Sequence, residues 1–268
     1  MTDTALITRR EGAVLILSNN NPAARNALTP GFYNGLTAAL GAAACDPTVG
    51  AVVLTGEGGH FCSGGDLRQL IHRRELPIAE RRLKLESLHN LVRALRDCPK
   101  HVVMAVEGAA AGAGLSLALA GDMLVAAKNA QFSVAYVKVG LTPDGGATAL
   151  LSEFVSRQVL TELCLTGERV SGERMHQLGV VNRLVEPGHA LAAALALAQQ
   201  VAAGPELATA RIKHLCRVAP RNTLEQQLEL EALYMPLSQE TEESREGINA
   251  FLEKRAPDFA KLRSSKPG

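Results

Sequence analysis

The chain has 268 residues, with 28 basic side chains against 27 acidic ones, a balance that gives no long-range attraction to nucleic acid or an anionic membrane. Its length suits one large domain or a core with an appendage, and roughly 70–75% of the unfolded surface is then buried without a staple. The five cysteines (Cys45, Cys62, Cys98, Cys164 and Cys216) are odd in number and include no C-x-x-C pair, which argues against a disulfide framework or zinc site and predicts reduced thiols in a cytoplasm.

From the N-terminus, Met1 to Gly12 is polar and lacks an apolar signal core. Leu6 to Arg9 and Ala13 to Leu17 read as strands joined at Glu11-Gly12. Thr29 before Pro30 predicts a helix start, a hydroxyl N-cap followed by proline at the first helical position. Phe32, Leu36, Ala39, Leu40 and Ala43 keep helical spacing until Asp46-Pro47. Ala51 to Leu54 reads as a buried strand. The basic stretch Arg68 to Arg96 follows, with Leu85, Leu88, Val92 and Leu95 on one apolar stripe. A second buried strand, Val102 to Val106, precedes a helix over Gly114 to Ala120. The stretch Ala109 to Ala120 is glycine-broken and too short to span a bilayer. Met123 to Ala127 and Gln131 to Val137 read as short strands, and Ala147 to Val155 as a helical run. The alternation predicts α/β architecture. From Gly204 onward the pattern is helix alone. One helix opens at Pro205 and ends at Pro220, and another is marked by a Thr223/Gln226 capping box with Leu224, Leu228 and Leu230 as apolar positions. A third runs over about Glu242 to Arg255 with Ile248, Phe251 and Leu252 on one side. The tail Ser264 to Gly268 is expected to be disordered. There is no internal repeat.

Two glycine-rich loops follow the two buried strands: Phe61-Cys62-Ser63-Gly64-Gly65-Asp66-Leu67 and Gly108-Ala109-Ala110-Ala111-Gly112-Ala113-Gly114. Small residues let a ligand approach the backbone, and a helix start leaves N–H donors unpaired. Two such loops converging on one carbonyl oxygen form an oxyanion hole. Alone, the second loop also fits a nucleotide-binding glycine turn. It lies deep in the chain, however, and no tyrosine–lysine pair follows at dehydrogenase spacing.

The paired loops resemble those of the crotonase (enoyl-CoA hydratase/isomerase) superfamily. The resemblance runs from Arg25-Asn26-Ala27-Leu28 to Arg245-Glu246-Gly247 and Lys254-Arg255. It implies a spiral of β-β-α units over residues 1–203 carrying an acyl-CoA site, with a C-terminal helical trimerisation segment over 204–268. It also implies a homotrimer or dimer of trimers, and coenzyme A as part of the substrate with no permanently bound cofactor. The implied oxyanion donors are the N–H groups of Ser63 and Ala113. Arg25, Ala27, Gly65, Asp66 and Leu67 match the family's coenzyme A contacts, with Phe251 and Lys254 reaching the adenine from a neighbouring subunit. Arg25 suits a phosphate because its guanidinium bonds in a fork, and it is equally consistent with a solvated surface arginine.

The positions where crotonase hydratases carry their two glutamates are occupied by Ser116 and Tyr136, neither an acid or base near neutral pH. The resemblance therefore directs the chemistry to Asp144, in Gly140-Leu141-Thr142-Pro143-Asp144-Gly145-Gly146, where several isomerases carry their acid. On its own, an aspartate there also reads as a helix N-cap. This turn, with Thr223 to Glu231 and the Arg245-Glu246-Gly247 tail, is similar to that of 1,2-epoxyphenylacetyl-CoA isomerases and Δ3/Δ2-enoyl-CoA isomerases. His89 flanks the apolar stripe as a boundary residue. It also resembles the histidine of 4-chlorobenzoyl-CoA dehalogenases, which implies hydrolytic chemistry with Asp144 as nucleophile and His89 as base. Tyr136 and Ser116 are expected in the substrate pocket. No metal-ligand spacing appears, and RNA binding, known in some crotonase relatives, lacks a basic stripe.

Overall fold

The computed structural model describes residues 4–264, so residues 265–268 of the tail expected to be disordered lie outside the described residues. Among the described residues nine strands form two sheets. In chain order they are β1 (Leu6–Glu11), β2 (Val14–Asn19), β3 (Ala51–Gly56), β4 (His101–Val106), β5 (Ala109–Ala111), β6 (Met123–Ala127), β7 (Gln131–Ser133), β8 (Val170–Ser171) and β9 (Arg183–Val185). The large sheet has the order β1-β2-β3-β4-β6-β9 and the small one β5-β7-β8. Only the β1–β2 hairpin is antiparallel in the large sheet; Leu6 faces Asn19 and Glu11 faces Val14. From β4 onward the chain passes repeatedly between sheets, β4 to β5, β6 to β7, β8 to β9, which is the spiral that the resemblance implies.

Both faces of the large sheet are buried, so its strands read as continuous apolar runs. The alternation is still visible in where the side chains go. Val14, Ile16, Ala51, Val53, Val103 and Ala105 pack on one face against α8 (Ala190–Ala202), which offers Ala190, Ala194, Leu197 and Ala198. Val52, Leu54, Val102, Met104 and Val106 enter the larger core on the other face. That core is closed by α1 (Pro30–Cys45), α3 (Ile78–Asp97) and α4 (Ala113–Leu119). Between β3 and α3 lies the short α2 (Leu67–Arg73). Thr29 caps α1 through Phe32 N–H, as its sequence predicts.

Some predicted elements are shorter than expected. The strand expected over Gln131 to Val137 ends at Ser133 because its partners β5 and β8 are themselves only three and two residues long. Ala135–Val139 is a 3-10 helix instead, and it carries Tyr136. The run Ala147 to Val155 is helical only as α5 (Ala147–Leu151). There Ser152 turns its hydroxyl back to the Ala149 carbonyl at 2.8 Å, the local competition that ends helices. Two further helices, α6 (Arg157–Thr166) and α7 (Gly172–Gln177), begin at serine caps Ser156 and Ser171.

The C-terminal region is helical throughout, as α9 (Glu206–Val218), α10 (Leu224–Gln239), α11 (Glu242–Leu252) and α12 (Phe259–Ser264). The Thr223/Gln226 capping box is present in both directions. The third helix stops at Leu252 rather than Arg255, because Lys254 takes a left-handed φ of 55°. Helix α9 is fastened to the core by Lys213, whose ammonium lies 2.7 Å from the Asp122 carboxylate and donates to the Lys100 carbonyl at 3.1 Å. No helix among the described residues is long and apolar enough to cross a membrane.

Candidate active site

The two glycine loops are sewn to each other. Cys62 N–H donates to the Ala109 carbonyl at 2.9 Å, and Ala111 N–H donates to the Cys62 carbonyl at 3.0 Å. The approach is so close that a Cβ on Gly114 would stand 2.3 Å from the Cys62 oxygen. Gly64, at φ 99°, is likewise fixed as glycine, since a Cβ there would meet the Ala111 carbonyl at 2.7 Å.

A third segment, 24–28, runs along the first loop. Ser63 Oγ donates to the Ala24 carbonyl at 3.0 Å. Ser63 N–H donates to the Arg25 carbonyl at 3.0 Å, and Leu28 N–H donates to the Gly64 carbonyl at 2.8 Å. Arg25 and Asn26 both hold positive φ, 49° and 58°. The buried Asn26 side chain over-determines that strained turn: its Nδ2 donates to the Glu57 and His60 carbonyls at 2.8 and 2.6 Å, and its Oδ1 accepts from Asn21 N–H at 2.9 Å.

This arrangement corrects one expectation. The Ser63 N–H assigned to the oxyanion hole is already spent on Arg25. Two residues on, the Gly65 N–H has no acceptor among the described residues, and neither has the Ala113 N–H at the start of α4. Gly65 and Ala113 line the same cavity. The sequence signal was present, since an adjacent glycine pair offers two candidate amides; only the hydrogen bonds tell them apart.

That cavity, of about 400 Å³, is walled by both loops, by α1 through Tyr33, by α2 and α3 through Leu70, Leu85 and Leu88, and by the turn around Asp144. Asp144 is the only carboxylate lining it among the described residues. Its side chain does not cap α5, whose N-cap is Gly146. Instead Tyr136 hydroxyl donates to Asp144 Oδ1 at 2.7 Å, and Ser116 hydroxyl donates to the Asp144 carbonyl at 3.0 Å. Burial raises the Asp144 carboxyl above the ordinary range, opposed by the Tyr136 hydrogen bond and the charges of His89 and Arg73. Burial and the neighbouring carboxylate also raise the Tyr136 phenol, which stays a neutral donor. Burial pushes the Cys62 thiol up to about 12, leaving it an inert packing group.

The remaining expected residues fall into separate places. Tyr136 faces the cavity, whereas Ser116, fully buried in α4, acts behind it by bonding the Asp144 turn. His89 does not line the cavity; its Nδ1 lies 3.3 Å from Glu86 Oε1 on α3. Asp66 uses its carboxylate to cap α2 through Arg68 N–H at 2.9 Å, and Leu67 stands at the cavity edge. Arg25 is exposed and Ala27 buried beside the first loop. Phe251 and Lys254 lie at the far end of α11, outside the cavity of their own chain, with Phe251 83% exposed. Tyr33 was not anticipated, although one position beyond core Phe32 on a short apolar stripe places it on the flank of α1. Its phenol is raised mainly by burial, then by the nearby Cys62 and Asp144.

The chain is similar to known proteins along nearly its whole length. The sequence profile of the enoyl-CoA hydratase/isomerase family matches residues 9–262. The chain is 36% identical to 1,2-epoxyphenylacetyl-CoA isomerase of Escherichia coli K12 over 255 residues, covering 95% of this chain and 97% of that protein. It is 34% identical to 2,3-dehydroadipyl-CoA hydratase of the same organism, over 95% and 98% of the two chains. The crystal structure of an enoyl-CoA hydratase from Polaromonas sp. JS666 superposes with a TM-score of 0.92 at 45% identity, covering 94% of this chain and 98% of that one. The chain therefore belongs to the enoyl-CoA hydratase/isomerase family of the crotonase superfamily.

Proposed function

We propose that the protein isomerises an unsaturated or ring-derived acyl-CoA by moving one proton with one carboxylate. The observation that carries this reading is that Asp144 is the sole carboxylate lining the cavity among the described residues. In this reading the thioester oxygen accepts hydrogen bonds from the Gly65 and Ala113 N–H groups. Each such donor contributes about 2.7–4 kcal/mol to an enolate-like transition state. Asp144 removes a proton from the α-carbon of a β,γ-unsaturated substrate, the electron pair spreads over the dienolate, and the same carboxyl returns the proton at the γ-carbon. A carboxylate made more basic by burial suits that double task. Tyr136 orients Oδ1, and Ser116 holds the turn that carries it.

Crotonase hydratases use two glutamates, and Ser116 and Tyr136 stand at both of those positions. The hydrolytic alternative asks His89 to activate water, and its position outside the cavity beside Glu86 argues against that role. In this reading coenzyme A would run along Arg25, Ala27 and the Gly65-Asp66-Leu67 step. Phe251 and Lys254 would serve a neighbouring copy in a homotrimer or dimer of trimers. The exposed Leu224, Leu228, Met235, Ile248, Phe251 and Leu252 of α10 and α11 support such an assembly, and light scattering at micromolar concentration should find no stable monomer.

The deciding experiment incubates the protein with a panel of unsaturated acyl-CoA thioesters in heavy water and follows the products by mass spectrometry. Isomers that have exchanged α- and γ-protons, with no gain of water, are expected. Addition of one water would make the protein a hydratase, and release of free coenzyme A would restore the hydrolytic reading.

A further inference from the structure

Beyond Asp144 the cavity opens into a second chamber of about 640 Å³. The two share Leu67, Leu70, Arg73, Leu85, Val139, Leu141 and Asp144. Of the two glycine-rich loops only Leu67, the last residue of the first, reaches the outer chamber. Its apolar wall suits a hydrocarbon chain, yet Arg73, Arg74 and Arg81 also line it, and Asp144 is its only carboxylate among the described residues. Arg73 donates to Gln69 Oε1 at 3.3 Å, and the Arg74 and Arg81 side chains have no hydrogen bond or ion pair among the described residues. Other arginines of this chain are ion-paired, as in Arg96 with Glu153 and Arg255 with Glu246, whereas Arg25, Arg68 and Arg82 also have no side-chain partner among the described residues; what sets the exposed Arg74 and Arg81 apart is that both line this chamber. The chain as a whole carries a net charge of only +1, so the surplus here is local.

From this apolar passage ending in uncommitted guanidiniums, we infer that the acyl group this enzyme takes ends in a carboxylate, held in the outer chamber by Arg74 and Arg81 with Arg73 at its entrance. A planar fork of donors matches a carboxylate in two-point contact. The methylenes between thioester and terminal carboxylate would lie against Leu70, Leu85 and Leu141. A terminal methyl would offer Arg74 and Arg81 no partner at the end of an apolar channel, so discrimination comes from the far end of the substrate, away from the reacting carbons. Such a substrate would come from a reaction that opens a ring or oxidises a chain end to an acid.

This inference rests on the acyl-CoA reading, and its test separates the two. Calorimetry would compare adipyl-CoA, hexanoyl-CoA and coenzyme A on the wild type and on Arg74→Gln/Arg81→Gln. Adipyl-CoA should bind the wild type about tenfold or more tightly than hexanoyl-CoA, with the advantage shrinking as salt rises. In the double variant the advantage should vanish while hexanoyl-CoA and coenzyme A bind as before. Equal affinity of the wild type for both thioesters would overturn the inference and leave the acyl-CoA reading intact. A parallel loss for all three ligands would overturn it as well, because the arginines would then serve coenzyme A phosphates. No binding of any thioester would remove the acyl-CoA reading and this inference with it.

Discussion

The floor and the outer wall of the cavity are built on opposite terms. On the floor almost every polar group is committed: Ser63, Cys62 and Ala111 bond across loops, Tyr136 and Ser116 bond the Asp144 turn, and Asn26 locks the strained Arg25 backbone. What is left over is two amides and the second oxygen of one carboxylate, the groups the proposed enolate reaction requires. The outer wall, on α2 and α3, is loosely committed. Leu67, Ile71 and Leu83 are exposed, and the side chains of Arg74 and Arg81 bond nothing among the described residues. On the proposed mechanism, the rigid geometry lies where charge would develop in the transition state, and the adaptable side chains lie where substrates would differ.

The harshest break in that comparison is Gly114→Ala. Alanine favours a helix by about 1 kcal/mol over glycine, so local propensity predicts a gain. The Cβ would nevertheless sit 2.3 Å from the Cys62 carbonyl, and the loops must part. A displacement of that order costs about 10²-fold in rate even when the protein folds. Expression yield and circular dichroism report folding, and turnover reports the loops. A folded variant within tenfold of wild-type turnover would show that the floor is not held as tightly as its hydrogen bonds imply.

Asp144→Asn comes next and acts in two directions. Shape and hydrogen bonding survive but the base does not, so turnover and heavy-water exchange should fall by about 10²–10⁴. Stability should move the other way. Burial raises the folded-state carboxyl pKa, so its contribution to stability is full below the unfolded pKa and is lost as pH rises through the folded one. At neutral pH the ionised Asp144 therefore destabilises the fold. Thermal melts should place the Asn variant above wild type at pH 7, with the gap closing on acidification. An Asn variant that melts lower at pH 7 would contradict the burial argument.

Tyr136→Phe sharpens the same point with a smaller effect. The lost hydrogen bond favours the ionised carboxyl, so without it the Asp144 pKa rises further. The acid limb of the kcat–pH profile should shift to higher pH, with most activity recovered once the carboxyl is ionised. An unmoved limb combined with a uniformly lower plateau would mean that Tyr136 only shapes the pocket.

How much of this was legible in the sequence follows the same division. Buried parallel strands and the Thr29 and Thr223 caps leave local signals, and the structure has them. The segment around Tyr136 does not, because an apolar run reads as a strand until its pairing partners prove too short. The choice of Gly65 over Ser63 was hidden for a different reason. It turns on a hydrogen bond to Arg25, thirty-eight positions earlier, that no spacing reports. The work of Asn26, inside the Arg25-Asn26-Ala27-Leu28 motif, is hidden in the same way, since its side chain bonds segments distant in sequence. Arg74 and Arg81 were visible as a basic stretch, but a stretch says nothing about which cations face a shared chamber.

The smallest expected effect belongs to Ser116→Ala. The hydroxyl is fully buried and gives its hydrogen bond to the Asp144 carbonyl. Removing it leaves that carbonyl accepting from the Ala147 N–H at 3.1 Å and the Tyr136 hydroxyl at 3.3 Å. A neutral buried hydrogen bond of this kind contributes about 1 kcal/mol, which in a protein of this size lowers Tm by about 2–4 °C. Because Tyr136 still fixes Oδ1, kcat/KM should stay within about threefold of wild type, which is less than 1 kcal/mol in the transition state. A large fall in kcat with an unchanged melt would give Ser116 a role in the chemistry itself. The floor would then contain a third active group, and the single-carboxylate mechanism would have to be rewritten around a serine–aspartate pair.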